Sequence, residues 1–519
     1  MRVSTDKGEV EGTVEDRVVV FKGIPYAAPP VGDLRWQRPQ PASPWSGVRK
    51  CDTFSKSCIQ PVFASMDGTE PVGKQSEDSL YLNVWTTGGG TTARKPVMVW
   101  IHGGGFQIGD GVASAYNGTR LALKGAIVVT FNYRLGHLGF FAHPSLERET
   151  RGGPVNFGVL DQIEALKWVK NNILEFGGDP GNVTIFGQSA GAASVLTLFA
   201  SPEARNLFHK GIAQSPYAIP EHSRDKAIAL GAYVATRVFG AGENPSVADL
   251  RRIPAEKFAL AHYKHPIGIP EPQRVPSLGP VAIVGDEVLP MGVRATFQAG
   301  SQQRLPLILG NTSNEESVLE AFGVNAELVL TAIESIQPGA VAFLKTLYQG
   351  DPELHIPDDL NDPKRFGGLV MRDFLFTMHV RWIAQQHLLK SEVRRYYFGY
   401  VPEKLGAEWP HGVPHGGELV FPFDTGGTAY GTVGKFTDAD KAMALKVSNY
   451  WFTFAQTGTP TGEVAWPRQR MPLLQPPEDR TLQLGRQIAV QSDFRKTRLE
   501  LYAQMYPEFV QWIEGRPVS

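Results

Sequence analysis

The sequence is poor in the features that mark disulfide-stapled, polyanion-binding or membrane-spanning proteins. Its 519 residues include two cysteines, Cys51 and Cys58, too few for a disulfide framework, and no Cys/His spacing has the form of a zinc site. Net charge is nearly absent: 51 Lys and Arg oppose 52 Asp and Glu, with no block of five or six like charges and no basic stripe. That balance argues against nucleic acid or an anionic membrane surface as the main partner. No stretch approaches the roughly 18 apolar residues a spanning helix needs, and Met1–Lys7 lacks the apolar core of a signal peptide. The C-terminal Gly515–Ser519 matches no lipidation or retention signal. The expectation is a soluble, cytoplasmic chain, although one trimmed of a signal peptide would read the same. No repeat of 20–50 residues is present, and nothing in the sequence specifies an oligomeric state.

What is present is a large apolar complement, 42% of residues, with 55 Gly and 39 Pro to make turns. At roughly 100–200 residues per domain the length suggests about three domains, yet large α/β enzymes exceed that as one unit. Tyr81–Trp85, Val97–Ile101 and Ile127–Phe131 are β-prone runs bounded by turn formers, with the Gly/Thr-rich patch Thr86–Thr92 as a loop between the first two. From Val159 to Phe176, apolar residues recur at three- and four-residue steps, predicting an amphipathic helix that Gly177-Gly178-Asp179-Pro180 stops. A strand at Val183–Phe186 then leads through Gly187 into a helix at Ala190–Ala200. Further strands are expected at Pro306–Gly310 and Arg395–Val401, and helices at Ala439–Thr457 and Asp493–Met505. This alternation predicts an α/β fold, a large and mostly parallel sheet flanked by helices. We expect one catalytic domain over residues 1–519 with helical insertions at about 215–300 and 320–392.

Gly187-Gln188-Ser189-Ala190-Gly191 is a G-x-S-x-G, weak evidence alone in so glycine-rich a chain. Its position between a predicted strand and a predicted helix is that of a strained turn which thrusts a serine hydroxyl out at the sheet edge; the bland reading is a helix-capping serine. His102-Gly103-Gly104-Gly105-Phe106 follows the strand Val97–Ile101. Successive glycines let backbone N–H groups face a ligand unobstructed, as an oxyanion hole requires, against the alternative of a plain glycine turn. The expected donors are Gly104, Gly105 and Ala190, each worth about 3–4 kcal/mol in the transition state. A nucleophilic serine also needs a base, and the base an acid, in the order Ser, acid, His. Past the strand at Pro306–Gly310 lie Glu315 and Glu316. His379 and His387 fall in helical patterns and His355 in a Pro/Asp-rich loop, so packing or surface roles suit them. His411 and His415 share the loop after Arg395–Val401, and spacing does not choose between them.

At this point the chain resembles the type-B carboxylesterases, relatives of the cholinesterases and of bacterial para-nitrobenzyl esterases. The resemblance runs through Phe21–Ala27, Pro29-Pro30-Val31-Gly32, Leu34-Arg35-Trp36, Ser76–Trp85, the HGGGF string, Asn132-Tyr133-Arg134, Gly158–Gln162, Phe176–Pro180 and the GQSAG turn. It implies the α/β-hydrolase fold and a serine esterase in which Ser189 is the nucleophile, Glu315 the acid and His415 the base, the last opening an H-G-x-E segment. It further implies a buried pair of Arg35 with Glu77, and leaves His411 a surface or rim role.

Three departures from the family stand out. Relatives with a disulfide pair a cysteine near Cys58 with one where this chain has Ser79, so Cys51 and Cys58 are expected as free thiols, in keeping with a reducing compartment. No tryptophan lies between Cys58 and Ser79, where cholinesterases bind a quaternary ammonium, and Gln188 stands where a glutamate is common. Both disfavour choline esters. The expected substrate is a neutral, small-to-medium ester, held by pockets drawn from Phe106, Gln188, the segment Ser215–Pro220 with Pro216, and the inserts Pro270–Pro280 and Leu319–Phe322 with Phe322. No metal or organic cofactor is implied. Rival readings are a lipase, an amide or carbamate hydrolase, and a non-catalytic adhesion module.

Overall fold

The computed structural model describes residues 1–61, 73–258, 281–318, 326–351, 357–469 and 478–513. Fifteen strands occur among them. In chain order they are β1 (Arg2–Thr5), β2 (Gly8–Glu15), β3 (Val18–Pro25), β4 (Val48–Cys51), β5 (Tyr81–Thr86), β6 (Lys95–Ile101), β7 (Ile127–Phe131) and β8 (Gly178–Gln188). There follow β9 (Lys210–Gln214), β10 (His222–Ser223), β11 (Ile283–Val284), β12 (Leu307–Thr312), β13 (Val393–Phe398), β14 (Arg480–Leu484) and β15 (Ile488–Ser492). Thirteen form one sheet in the order β1-β2-β3-β5-β7-β6-β8-β9-β12-β13-β14-β15, with β4 beside β2; β10 and β11 pair separately. From β7 to β14 every pairing is parallel, while both flanks are antiparallel apart from the parallel β2–β4 pair.

Side-chain alternation explains why helices cover both faces. Along β6, Val97, Val99 and Ile101 enter one core while Met98 and Trp100 enter the other. The helix Phe157–Asn172 fills the first core with Val159, Ile163, Leu166 and Val169, and the helix Asp438–Thr457 fills the second with Val447, Trp451 and Phe454. A third apolar cluster joins helices between β12 and β13 to the C-terminal helix Lys496–Ile513, through Leu344, Phe366, Phe374, Leu499 and Tyr502. An ionic knot seals that junction. Burial alone would push the Asp373 carboxyl up, but the guanidiniums of Arg372, Arg495 and Arg498 around it hold it well below the usual carboxylate range. Among the described residues no helix is long and apolar enough to cross a membrane.

The sequence-predicted elements occur with shifted ends. The helix expected at Val159–Phe176 ends at Asn172 and tightens into a 3-10 turn over Ile173–Phe176. The strand expected at Val183–Phe186 runs back to Gly178 because Lys95 of β6 pairs with it across an irregularity. β13 starts at Val393 and ends at Phe398, short of Val401. The N-terminal strands and β9, β14 and β15 have no counterpart in the sequence reading. The segment 215–300, expected as helical, also contains the β10–β11 pair.

Several family motifs prove to be structural ties. Arg134 donates to Asp161 through Nε at 2.8 Å and Nη2 at 2.7 Å, stitching the loop after β7 to the helix Phe157–Asn172. Arg35 grips Glu77 bidentately at 2.7 and 2.6 Å and donates to the Ile253 carbonyl at 2.6 Å, as the buried pair expected from the sequence. Both cysteines are free and buried, and burial pushes the Cys58 thiol up to about 12. Cys58 Sγ lies 2.9 Å from Ser79 Oγ. Ser79→Cys should therefore close a disulfide over a loop of about 20 residues, worth at most about 3 kcal/mol. The oxidised variant should inactivate more slowly on heating, and reduction should abolish the gain. Three reactive thiols in the unfolded, unreduced variant, instead of one, would contradict this geometry.

Candidate active site

The parallel strands end on one edge of the sheet, and the loops there carry the chemistry. β8 ends at Gln188, Ser189 takes φ 57° and ψ −124°, and the helix Ala190–Ala200 starts immediately after it. For a serine this backbone is strained, and the turn persists because its neighbours leave no alternative path. A Cβ on Gly191 would collide with the Ile101 carbonyl oxygen of β6. The Ser189 amide is tied to the Gln214 carbonyl at the end of β9 at 2.9 Å.

The HGGG loop lies against this turn. A Cβ on Gly103 would stand 2.6 Å from the Gln188 carbonyl oxygen and 3.1 Å from Ser189 Cβ. Gly104 and Gly105 have φ of 99° and 61°, so the chain curls and the Gly104 carbonyl accepts from the amides of Gln107 and Ile108, both at 3.0 Å. Among the described residues, no acceptor is bonded to the amides of Gly104, Gly105 or Ala190. His102, which opens the motif, stacks on Tyr133 with ring centroids 4.4 Å apart, and burial lowers it to about 4, so it is a neutral packing residue.

Glu315 and His415 come from loops a hundred residues apart that are zipped together. The Asn314 amide donates to the Val413 carbonyl, the Val413 amide to Ser313 Oγ and the His415 amide to Ser317 Oγ, each at 2.9 Å. His415 Nδ1 donates to Glu315 Oε2. The other carboxylate oxygen, Oε1, accepts from Ser215 Oγ and the Thr312 amide, both at 2.6 Å. Glu315 is completely buried. Because Nδ1 carries the hydrogen, Nε2 is the lone-pair nitrogen, and it accepts from the side-chain amide of Gln188 at 3.1 Å. Phe376 packs on the His415 ring at 5.4 Å.

Behind the histidine lies a second carboxylate, Glu418. It accepts from Gln214 Nε2 at 3.2 Å, Gln214 in turn accepts from Trp451 Nε1 at 3.0 Å, and Glu418 Oε2 has no hydrogen-bond partner among the described residues. Burial first, and the charge of Glu315 second, raise Glu418 to about 7, with His415 opposing.

The structure thus brings Ser189, Glu315, His415, Gly104, Gly105, Ala190 and Gln188 to one place. Phe106 is buried against Phe140 and borders a chamber behind the turn; of the segment Ser215–Pro220, Tyr217, Ala218 and Ile219 border it and Pro216 does not. Ser215, just before it, has φ 55° and directs its hydroxyl onto Glu315. Phe322, the rest of Leu319–Phe322, and Pro270–Pro280 lie outside the described residues, as does His355. His411 is exposed, Glu316 pairs with Arg365, and His379 and His387 are buried in helix packing. Sequence reasoning missed Ser215 as a carboxylate anchor, the Gln214–Glu418 relay and Phe376, none of which has a local motif. Among the described residues no group of three His, Cys, Asp or Glu is arranged to hold a metal.

A mostly parallel sheet with a strained serine at its edge, beside a carboxylate-bound histidine, defines an α/β hydrolase. The Carboxylesterase family model matches residues 1–502, and the chain belongs to that family. It is 35% identical to a para-nitrobenzyl esterase of Bacillus subtilis over 90% of this chain and 92% of that one. It is 34% identical to a fumonisin B1 esterase of Sphingopyxis macrogoltabida (89% and 84%) and 32% identical to a cocaine esterase of Homo sapiens (96% and 89%). A solved PNB esterase superimposes with a TM-score of 0.78 at 32% identity, over 97% of this chain and 99% of that one. The enzyme is a carboxylesterase.

Two consequences follow for pH. Replacing the neutral amide by a carboxylate in Gln188→Glu stabilises a protonated His415, so the acid limb of the kcat/KM profile should move to higher pH; an unmoved limb would mean the side chain does not meet the imidazole. Glu418 has a folded value of about 7 above an ordinary 4.5, so the native state holds its proton more tightly than the unfolded chain. Its cost to stability is absent below pH 4.5, grows between 4.5 and 7 and is constant above 7. Glu418→Gln should unfold later than wild type at pH 8 and with it at pH 4, measured by thermal or denaturant unfolding; an equal gap at both pH values would refute this.

Proposed function

We propose that this protein cleaves uncharged ester linkages of small-to-medium size through an acyl-enzyme formed on Ser189. Ser189 Oγ attacks the ester carbonyl carbon as its proton passes to His415 Nε2. The carbonyl oxygen, now an oxyanion, accepts from the amides of Gly104, Gly105 and Ala190, and Glu315 supports the imidazolium through Nδ1. Collapse breaks the carbon–oxygen bond to the alcohol, which leaves with the proton from Nε2. Water then repeats the cycle on the acyl-enzyme, with the same histidine as base, and releases the acid.

One observation carries the reading: the His415–Glu315 pair, with Ser215 and Thr312 saturating the far carboxylate oxygen and Nε2 left as the acceptor beside the serine turn. In the resting arrangement that acceptor is held by Gln188, so the Gln188 amide must yield it when Ser189 delivers its proton. The three relatives described above are named as esterases, which supports an ester over an amide as the scissile bond. A neutral Gln188, where a glutamate is common, supports a site that does not select cations.

Ser189→Ala should remove essentially all release of nitrophenol from a nitrophenyl ester, with the fold unchanged by circular dichroism. Retention of a tenth of the wild-type rate would exclude Ser189 as the nucleophile. Faster cleavage of anilides than of matched esters would overturn the choice of bond.

A further inference from the structure

The chain between the helices Pro363–Arg372 and Met378–Leu388 is a single wide turn, Asp373–Thr377, closed by the Met378 amide on the Asp373 carbonyl five residues back. Such turns hold one residue more than an α-helical turn and recur at functional sites. Its residues divide between two neighbours. Asp373 and Phe374 face the C-terminal helix Lys496–Ile513 and the residue before it. The Asp373 carboxylate pairs with Arg495 at 3.1 Å and Arg498 at 2.7 Å, and Phe374 packs on the rings of Tyr502, Tyr506 and Phe509. Leu375, Phe376 and Thr377 face the loops that carry the site. The Leu375 carbonyl accepts from the Ala218 amide at 2.8 Å, three residues past the serine that anchors Glu315. The Phe376 ring lies on the ring of His415. Thr377 Oγ1 accepts from Asn311 Nδ2 at 3.2 Å, one residue before the amide that binds Glu315.

Two side chains carry the position of the ionic knot into the acid loop. Thr377 Oγ1 also donates to Asp373 Oδ1 at 3.2 Å, so one hydroxyl links the carboxylate held by the C-terminal helix to β12. Arg372 donates through Nε to Asp373 Oδ1 at 2.9 Å and through Nη1 to the Ser313 carbonyl at 3.1 Å. Ser313 is the residue whose hydroxyl accepts from the Val413 amide, so the guanidinium fastens the peptide at which the acid loop and the histidine loop are joined. Arg372, Asp373 and Thr377 are all buried. Charge-assisted bonds from a buried guanidinium make a stiff support, and catalysis needs one: a misplacement of about 1 Å can cost about a hundredfold in rate.

We propose, on the esterase reading above, that Arg372 and Thr377 are positioning residues. They keep Glu315 and His415 in line for proton transfer by tying their loops to Asp373 and, through it, to the C-terminal helix.

His415 acts twice, taking the Ser189 proton and then protonating the departing alcohol. A nitrophenolate leaves without that second step, whereas an alkoxide needs it. A histidine out of line therefore slows an alkyl ester more than a nitrophenyl ester of the same acid, while a loss of stability lowers only the number of folded molecules. The test compares ethyl and nitrophenyl butyrate, with active sites counted by fluorophosphonate titration. Thr377→Val removes one hydroxyl and leaves Asn311 its bond to the Thr312 carbonyl and Asp373 its guanidiniums, so the variant should fold. Thr377→Val and Arg372→Met should each raise the nitrophenyl-to-ethyl ratio of kcat/KM at least about fivefold, with Arg372→Lys between Arg372→Met and wild type. Thr377→Val decides alone if Arg372→Met does not fold. Arg381→Met breaks a likewise buried pairing, with Asp479 and Glu500, and should unfold earlier at an unchanged ratio. A wild-type ratio in Thr377→Val, or an equal rise in Arg381→Met, overturns the proposal. A wild-type enzyme that cleaves neither ester would instead overturn the esterase reading.

Discussion

The constraint on which the rest of the structure depends is the close approach of β6, β8 and the helix behind Ser189. Gly191 presses against the Ile101 carbonyl and Gly103 against the Gln188 carbonyl, so the HGGG loop and the serine turn are two sides of one contact. Any Cβ there would separate them. That contact holds Ser189 in its strained conformation. The strain is local, and the parallel sheet with a core on each face is what over-determines it.

Electrostatics around the site is arranged by depth. Glu315 is fully buried yet saturated: a histidine, a serine hydroxyl and a backbone amide occupy its oxygens. Glu418, equally buried, is not saturated and is pushed toward neutrality. Two carboxylates close to one imidazole are thus held differently: hydrogen bonds occupy both oxygens of Glu315, while burial and the neighbouring charge of Glu315 raise Glu418. Gln188 adds a neutral donor on the opposite nitrogen.

Much of the site was legible because its parts are local in sequence. Glycines at 187 and 191, the string at 103–105 and the strand-to-helix context of Ser189 each have a short-range cause. Choosing His415 over His411, and Glu315 over Glu316, needed family resemblance, because periodicity says nothing about which loop residue points inward. The structure gives the physical reason: Glu315 is under the Ser215 hydroxyl and the Thr312 amide, while Glu316 is taken up by a pairing with Arg365. Pro216 follows the turn at Ser215 that serves Glu315, and Tyr217, Ala218 and Ile219 beyond it border the chamber. The N-terminal strands and β9, β14 and β15 were missed because their stability comes from neighbours distant in the chain.

The sequence by itself determined the class of fold and the turn that bears the serine, because both are encoded in the pattern and steric demands of adjacent residues, and it excluded the Cys58 disulfide because Ser79 stands where the partner cysteine would be. Only the tertiary structure decided that Ser215 anchors the acid, that Glu418 lies behind the base with one oxygen unpartnered among the described residues, and that Gln188 caps the lone pair of the base. Those depend on which side chains from separate loops and helices share one buried volume, and burial is a property of the packed chain rather than of any segment of it.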